Sequence, residues 1–402
     1  MRNLLQKVSV NPENPNWENI IKRQNSLYKR DNEIRSEFER DYTRVINSKA
    51  YRRLKHKTQV FFSPSSDHVC TRSEHVSYVD SISNTIANYL GLNTELTKAI
   101  AISHDIGHSP LGHKGEKVLN EISLRDISQS FWHEKNGVHF VDDIELLEDA
   151  NGDLKNLDLT YAVRDGIISH CGEIDENSLK PRSQAIDLKD YTKPNEYSPY
   201  TWEACVVKIS DKISYIGRDI EDAFHLNLLN NEKSEDLKNI LGIQNEEALN
   251  NPNIINELII DICNNSTIEK GICFSTEKLN LINKIKEFNY NNIYSHPRLD
   301  ASNEYFKIII NRIYNILKNA YDKENTLSNL KELKKFYPQT IIRFKDWLHK
   351  YWNLTDRTNT NLKNKIIYDY TNPQDYYKAI IDFIAGMTDN YAIDMYNEIV
   401  SF

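Results

Sequence analysis

The apolar positions recur mostly at helical spacing. Val79, Ile82, Ile86 and Leu90 stand three and four residues apart, which predicts a helix from about Ser73 to Leu90, stopped by Gly91. Leu96, Ala99, Ile100 and Ile102 predict a second, from about Thr94, read as its N-cap, to Asp105. Val206, Ile209, Ile213, Ile216 and Ile220 form the apolar face of a third, over about Trp202 to Leu229. Further helices are expected across 116–180, with a loop near Asn151-Gly152, and across 276–400, ending in a helix from Tyr376 to Ile399. Three prolines in 181–200 mark a surface excursion, and 230–275 carries no clear pattern. Residues 1–30, polar and holding Pro12 and Pro15, read as a loosely attached arm.

Composition agrees with the periodicity. The 402 residues include 12 glycines and 11 prolines, and glycine at about 3% falls well under the average near 7%. So few turn residues exclude a many-stranded sandwich, barrel or propeller and favour an all-α protein with few or no strands. The net charge of −8 gives no overall attraction to nucleic acid or anionic membrane, so a polyanion site must be local. Apolar runs such as Phe383 to Met387 are too short to span a bilayer, and Met1 to Gln6 is too polar for a signal peptide. Five scattered cysteines with no CxxC spacing indicate neither a disulfide framework nor a thiolate zinc site. A reducing, cytoplasmic setting is expected.

Histidine carries the chemistry. Eight of the 12 lie between His56 and His139. His104 and Asp105 end an otherwise apolar helix, so both side chains leave a buried element at its rim, where they can reach one divalent ion. His75, near the start of the earlier helix, can supply a third ligand. The helix around Trp202 can supply a fourth, from a polar stripe of Asp211, Tyr215, Asp219 and Asp222 that partly faces a pocket. Gly107, Gly112 and Gly115 crowd the segment after the doublet, where the backbone is expected to turn tightly.

His75, His104-Asp105 and Asp211 match the H…HD…D pattern of the HD-domain metal phosphohydrolases. The stretches Arg40 to Leu54, Lys57 to Phe61, His104 to Glu116 and Ile384 to Asp389 further resemble the dGTP triphosphohydrolase family, in family order and over about residues 30 to 400. The resemblance implies an HD-domain helical bundle over 31–230, with 231–402 as additional C-terminal helices packed on it in one globular unit. It implies that His75, His104, Asp105 and Asp211 hold a divalent metal (Mn, Mg, Fe or Co). It makes His113 the acid/base residue, oriented by Glu116, with His108 near the phosphates and His133 a second pocket histidine. Arg72, Lys212 and Tyr215 would meet the triphosphate and sugar, and Gln59 and Asp219 the 3′-hydroxyl; Tyr215 would also exclude a 2′-hydroxyl. The implied reaction is hydrolysis of a dNTP to deoxynucleoside and tripolyphosphate, for control of dNTP pools or antiviral depletion. Another HD-domain nucleotide phosphohydrolase, or a nucleotide- or nucleic-acid-binding regulator with a relic metal site, is the alternative.

Two further expectations concern partners. Family analogy points to a homo-oligomer, such as a hexamer, with a dNTP effector at subunit interfaces. The basic run Arg40, Arg44, Lys49, Arg52, Arg53, Lys55 and Lys57 could bind such an effector or single-stranded nucleic acid; partial burial of its Arg-Arg-Leu segment against acidic partners is favoured. Asp222 is read as a solvated or ion-paired helix residue. His56, His68, His139, His170, His225, His296 and His349 are read as structural.

Overall fold

A computed structural model describes residues 4–27, 32–62, 66, 68–171, 177–242, 251–354, 356–358 and 360–401. Its helices begin where side chains satisfy free backbone amides. After the short α1 (Trp17–Ile20), α2 (Glu37–Asn47) starts at a capping box in which Ser36 and Glu39 each take the other's backbone N–H at 3.1 Å. α3 (Lys49–Arg53) follows directly. α4 (Arg72–Leu90) has the same device in Thr71 and Glu74, and Gly91 ends it in the left-handed conformation at φ 79°.

α5 (Thr94–Ser103) departs from expectation at both ends. Asn93, not Thr94, is the N-cap, its Oδ1 accepting from Leu96 N at 2.9 Å. The helix stops before His104, so the doublet lies in the turn beyond it. Leu96, Thr97 and every residue from Ala99 to Ser103 are buried, as expected of a helix at the centre of a bundle. α6 (Gly112–Ile127), α7 (His133–His139), α8 (Tyr161–Ser169) and α9 (Trp202–His225) complete the N-terminal half. The expected loop at Asn151-Gly152 is the turn of a short antiparallel hairpin, β1 (Leu146–Glu148) and β2 (Leu154–Asn156), with Leu147 opposite Lys155.

The C-terminal half is also helical: α10 (Asn231–Leu241), α11 (Asn251–Asn265), α12 (Thr276–Asn289), α13 (Arg298–Lys318), α14 (Thr326–Leu333), α15 (Pro338–Tyr351), α16 (Pro373–Ala385) and α17 (Asp389–Val400). The single helix expected over Tyr376 to Ile399 is two, broken at 386–388 where Thr388 caps α17. Two apolar cores result. One joins α2, α5, α6 and α8 to α13–α17, and the other joins α9 to α10–α12. α4 and α9 contribute to both, with Val76, Val79, Ala204 and Val207 in the first and Ile82, Ile86, Ile209 and Ile213 in the second.

Residues 4–27 are packed rather than loosely attached. Leu5, Val10 and Ile20 are buried, and Leu5 N donates to Leu90 O at 2.9 Å. Buried Glu203 accepts from Val10 N at 2.9 Å, and Arg23 pairs with Glu37 and with the fully buried Asp41. The proline-bearing stretch is likewise anchored, through buried Leu188, Tyr191 and Tyr200. No helix among the described residues is long and apolar enough to cross a membrane.

Candidate active site

α4, α5 and α9 bring four donor side chains together at the seam of the two cores. His75 stands in the first turn of α4, His104 and Asp105 follow α5, and Asp211 lies on α9. The Nε2 atoms of His75 and His104 are 3.4 Å apart. Asp211 Oδ1 is 3.0 Å from the first and 3.9 Å from the second. Asp105 places Oδ1 3.6 Å from His104 Nε2 and Oδ2 3.9 Å from His75 Nε2.

Hydrogen bonds behind the imidazoles assign their tautomers. His104 Nδ1 donates to Ala101 O at 2.6 Å. Ser214 gives its own proton to Asp211 O at 2.7 Å, which leaves its oxygen to accept from His75 Nδ1 at 3.2 Å. Both Nε2 atoms are thereby turned toward the carboxylates. His75, His104 and Asp211 converge closely enough to hold one ion, and His104 and Asp105 do so together with His170; these imidazoles and carboxylates, nearly closed off from solvent, fit a divalent cation of the Mn, Fe, Co, Mg or Zn class. Burial pulls the His75 pKa down, but the Asp211 bond and the charges of Asp211 and Asp105 lift it above the usual value. A proton and a cation compete for that nitrogen.

A second group adjoins the first. His108 Nε2 lies 3.1 Å from Asp105 Oδ1, and its ring stacks on His133 at 3.7 Å and 19°. Glu116 receives His133 Nδ1 at 3.0 Å and the His133 backbone N–H at 3.3 Å. His113 Nδ1 stands 3.9 Å from the same carboxylate with its side chain 63% exposed. Glu116 thus hydrogen-bonds His133 and pairs more loosely with the His113 expected from the sequence. The reason is the packing of α7: a Cβ on Gly107 would lie 2.1 Å from His133 O and 2.2 Å from Gly137 N. The close approach that this glycine permits is to α7. Burial would lift the Glu116 pKa, but His133 and His113 draw it down to about 2. Burial would lower that of His133, but Glu134 and Glu116 raise it to about 10.

His170, read as structural, belongs to this cluster. Its ring is 4.9 Å from His104 and 5.4 Å from His133, and its Nδ1 donates to Ile167 O at 2.7 Å. Burial, with His104 and His133 adjoining, pushes its pKa down to about 3. No local pattern marks it, because it reaches the site only through packing of α8 on α5.

The residues expected on the substrate side line the same region unevenly. Arg72 is buried and bound to Asp105 at 2.8 Å. Its NH2 group approaches Gln59 O at 3.5 Å. Gln59 Oε1, Arg72 Nε and His108 Nδ1 are buried with no hydrogen-bond partner among the described residues. Lys212 is buried and Tyr215 half-buried, directly beyond Asp211. Asp219 stands about 12 Å further along α9 at 1.5 Å per residue. It accepts from Tyr294 OH, and burial pushes its pKa up to about 7. Asp222 is ion-paired with Arg218 at 3.8 Å but buried rather than solvated, and it accepts from Cys70 N at 3.0 Å.

The basic run is largely committed inside the protein. Arg44 donates to Leu157 O and Asn156 O, Arg53 pairs with Glu145 at 2.7 Å, and buried Lys57 donates to His108 O and Ala385 O. Lys49, Arg52 and Lys55 remain exposed.

Comparison with known proteins agrees with this architecture. Residues 72–216 match the HD domain, and residues 348–398 match the phosphohydrolase-associated domain. The chain is 32% identical over 368 residues to a deoxyguanosinetriphosphate triphosphohydrolase-like protein of Caldanaerobacter subterraneus subsp. tengcongensis, covering 91% of this chain and 86% of that one. Relatives of the same description in Pelagibacter ubique and Clostridium tetani are 30% and 29% identical. These cover 94% and 98% of this chain and 95% and 94% of their own lengths.

Proposed function

Since the chain belongs to the deoxyguanosinetriphosphate triphosphohydrolase-like family of HD-domain phosphohydrolases, we propose that it hydrolyses deoxynucleoside triphosphates to deoxynucleoside and tripolyphosphate. The observation that carries this reading is the juxtaposition of the His75, His104, Asp105, Asp211 donor set with the His133–Glu116 pair. A divalent cation bound by those four residues would supply Lewis-acid polarisation of a phosphoryl oxygen. The protein's own side chains have distinct roles in this reading. Asp105 is fixed by Arg72 and His108, Glu116 holds the His133 ring, and His133 or His113 moves a proton at the attacking water or the 5′ oxygen. The unpartnered Gln59 Oε1, Arg72 Nε and His108 Nδ1 support a polar, hydrogen-bonding substrate at this place. Lys212, Tyr215 and Asp219 extend the same wall toward the sugar. An effector nucleotide, assembly into oligomers and a role in dNTP control or depletion accompany the reading as family expectations.

The test is a panel of dNTPs and NTPs, singly and in pairs, with Mn or Mg, reading tripolyphosphate directly. Deoxynucleotide-dependent release of intact tripolyphosphate is expected. Phosphate or diphosphate as the sole inorganic product would instead assign another phosphohydrolase reaction to the site. The paired arms detect an effector requirement.

A further inference from the structure

We propose that Asp389 is a positioning residue, which acts from the C-terminal helix pair to fix the loop carrying His108, and the start of α6 carrying His113 and Glu116, against the metal-binding residues. The proposal rests on the reading that these side chains serve hydrolysis.

The geometry begins at the break between α16 and α17. Thr388 takes the capping role, accepting from Tyr391 N at 3.3 Å, which leaves the Asp389 carboxylate free of its own helix. That carboxylate is buried and faces the site loops. Oδ1 accepts from Leu111 N at 2.7 Å and Oδ2 from Thr58 N at 2.8 Å. Charge-assisted bonds to two backbone amides are both short and directional.

Both amides are placed where position matters. Leu111 is the N-cap of α6, one residue before Gly112 and two before His113, and it holds a left-handed conformation at φ 65°. The Cβ of any L-residue disfavours that conformation, so contacts outside the loop help to select it. Its side chain is buried and apolar, and its N–H is the group held by Asp389. Thr58 adjoins Gln59, whose backbone oxygen neighbours Arg72.

A second tie joins the same two regions. Lys57 Nζ is buried and donates both to His108 O and to Ala385 O, at the end of α16. The 385–389 junction therefore grips the loop at His108 through Lys57 and at Leu111 directly. Neither bond touches substrate or metal ligands, so the role is positioning.

Asp389→Ala and Asp389→Asn test this in the full chain. Divalent metal content, kcat and KM on the preferred dNTP, and hydrogen exchange at 58 and 111 are measured together. We expect metal content to be retained and KM to move less than about threefold, with kcat falling about 10- to 100-fold in Asp389→Ala. Asp389→Asn, which keeps one acceptor oxygen, should lose less, and exchange protection at Leu111 and Thr58 should fall in the same order. Unchanged kcat with lost protection would overturn the proposal, as would a kcat loss matched by metal loss. The same comparison is run on bis(p-nitrophenyl) phosphate. If the unsubstituted protein cleaves this diester but no dNTP, the substrate reading fails, and the diester kcat still decides the role of Asp389.

Discussion

Glu116 and His133 are joined twice, through the imidazole Nδ1 at 3.0 Å and through the backbone N–H at 3.3 Å. The carboxylate therefore sets both the orientation of the ring and the start of the helix that carries it.

Replacing Glu116 by Gln should leave metal content intact and lower kcat by about 100-fold, within the range of a lost acid–base partner. The sign of the pH effect follows from the charge removed. Glu116 helps to raise the His133 pKa to about 10, so its loss lowers that pKa and the imidazolium is given up at lower pH. An alkaline limb of the rate profile that depends on this proton should move to lower pH in Glu116→Gln. His133→Ala should cost more kcat than His113→Ala; a larger loss in His113→Ala would return the main role to the exposed ring.

Ser214 touches none of the candidate donor atoms, yet it fixes the tautomer of His75. Ser214→Ala should weaken metal affinity by about 10- to 100-fold while the fold is kept. Competition with a chromophoric chelator measures this. Affinity equal to the unsubstituted protein would mean that Asp211 alone orients the ring.

Arg72 and Asp105 form a buried pair at 2.8 Å. Arg72→Met leaves the Asp105 charge without that partner and should destabilise the metal-free protein by about 3 kcal/mol. Saturating metal should recover part of the loss, because a cation at the His/Asp cluster also neutralises Asp105. Urea denaturation with and without metal checks both statements, and a loss independent of metal would assign Arg72 a purely packing role.

His139 bonds Asp143 at 3.0 Å and Asp382 at 2.8 Å, with Tyr368 and Lys378 also on Asp382. Burial and Lys378 pull the His139 pKa down, but Asp382 and Asp143 outweigh them and raise it. Burial would raise the Asp382 pKa, but Lys378 and His139 hold it well below the carboxylate range. The histidine contribution is full below its unfolded pKa of about 6.5 and is lost as pH rises through the folded value. The aspartate contribution is full above about pH 4 and is lost on acidification. The Tm difference between the unsubstituted protein and His139→Gln should be largest near pH 5–6 and shrink on both sides. A difference that is flat with pH would show that His139 contributes packing alone.

The apolar spacing was enough to place α4, α5 and α9, because a helix packed on a core must repeat its buried residues at three and four positions. The boundaries that shifted did so for local reasons. Asn93 competes successfully with Thr94 as the cap, and Thr388 restarts a helix where the apolar pattern runs on unbroken. The packing of residues 4–27 leaves no sequence signal, because their few apolar anchors, Leu5, Val10 and Ile20, are too sparse to form a period.

The sequence by itself determined the helical class, through its periodicity, and the four metal-binding candidates, through the adjacency of His104 and Asp105 and the resemblance of His75, the doublet and Asp211 to the H…HD…D pattern. Only the tertiary structure decided that Glu116 bonds His133, that His170 stands beside His104, and that Asp389 holds Leu111 from the far end of the chain. These are contacts between elements remote in sequence. They depend on the close approach of α7 at Gly107 and the packing of α16 and α17 behind the site, which spacing along one chain does not encode.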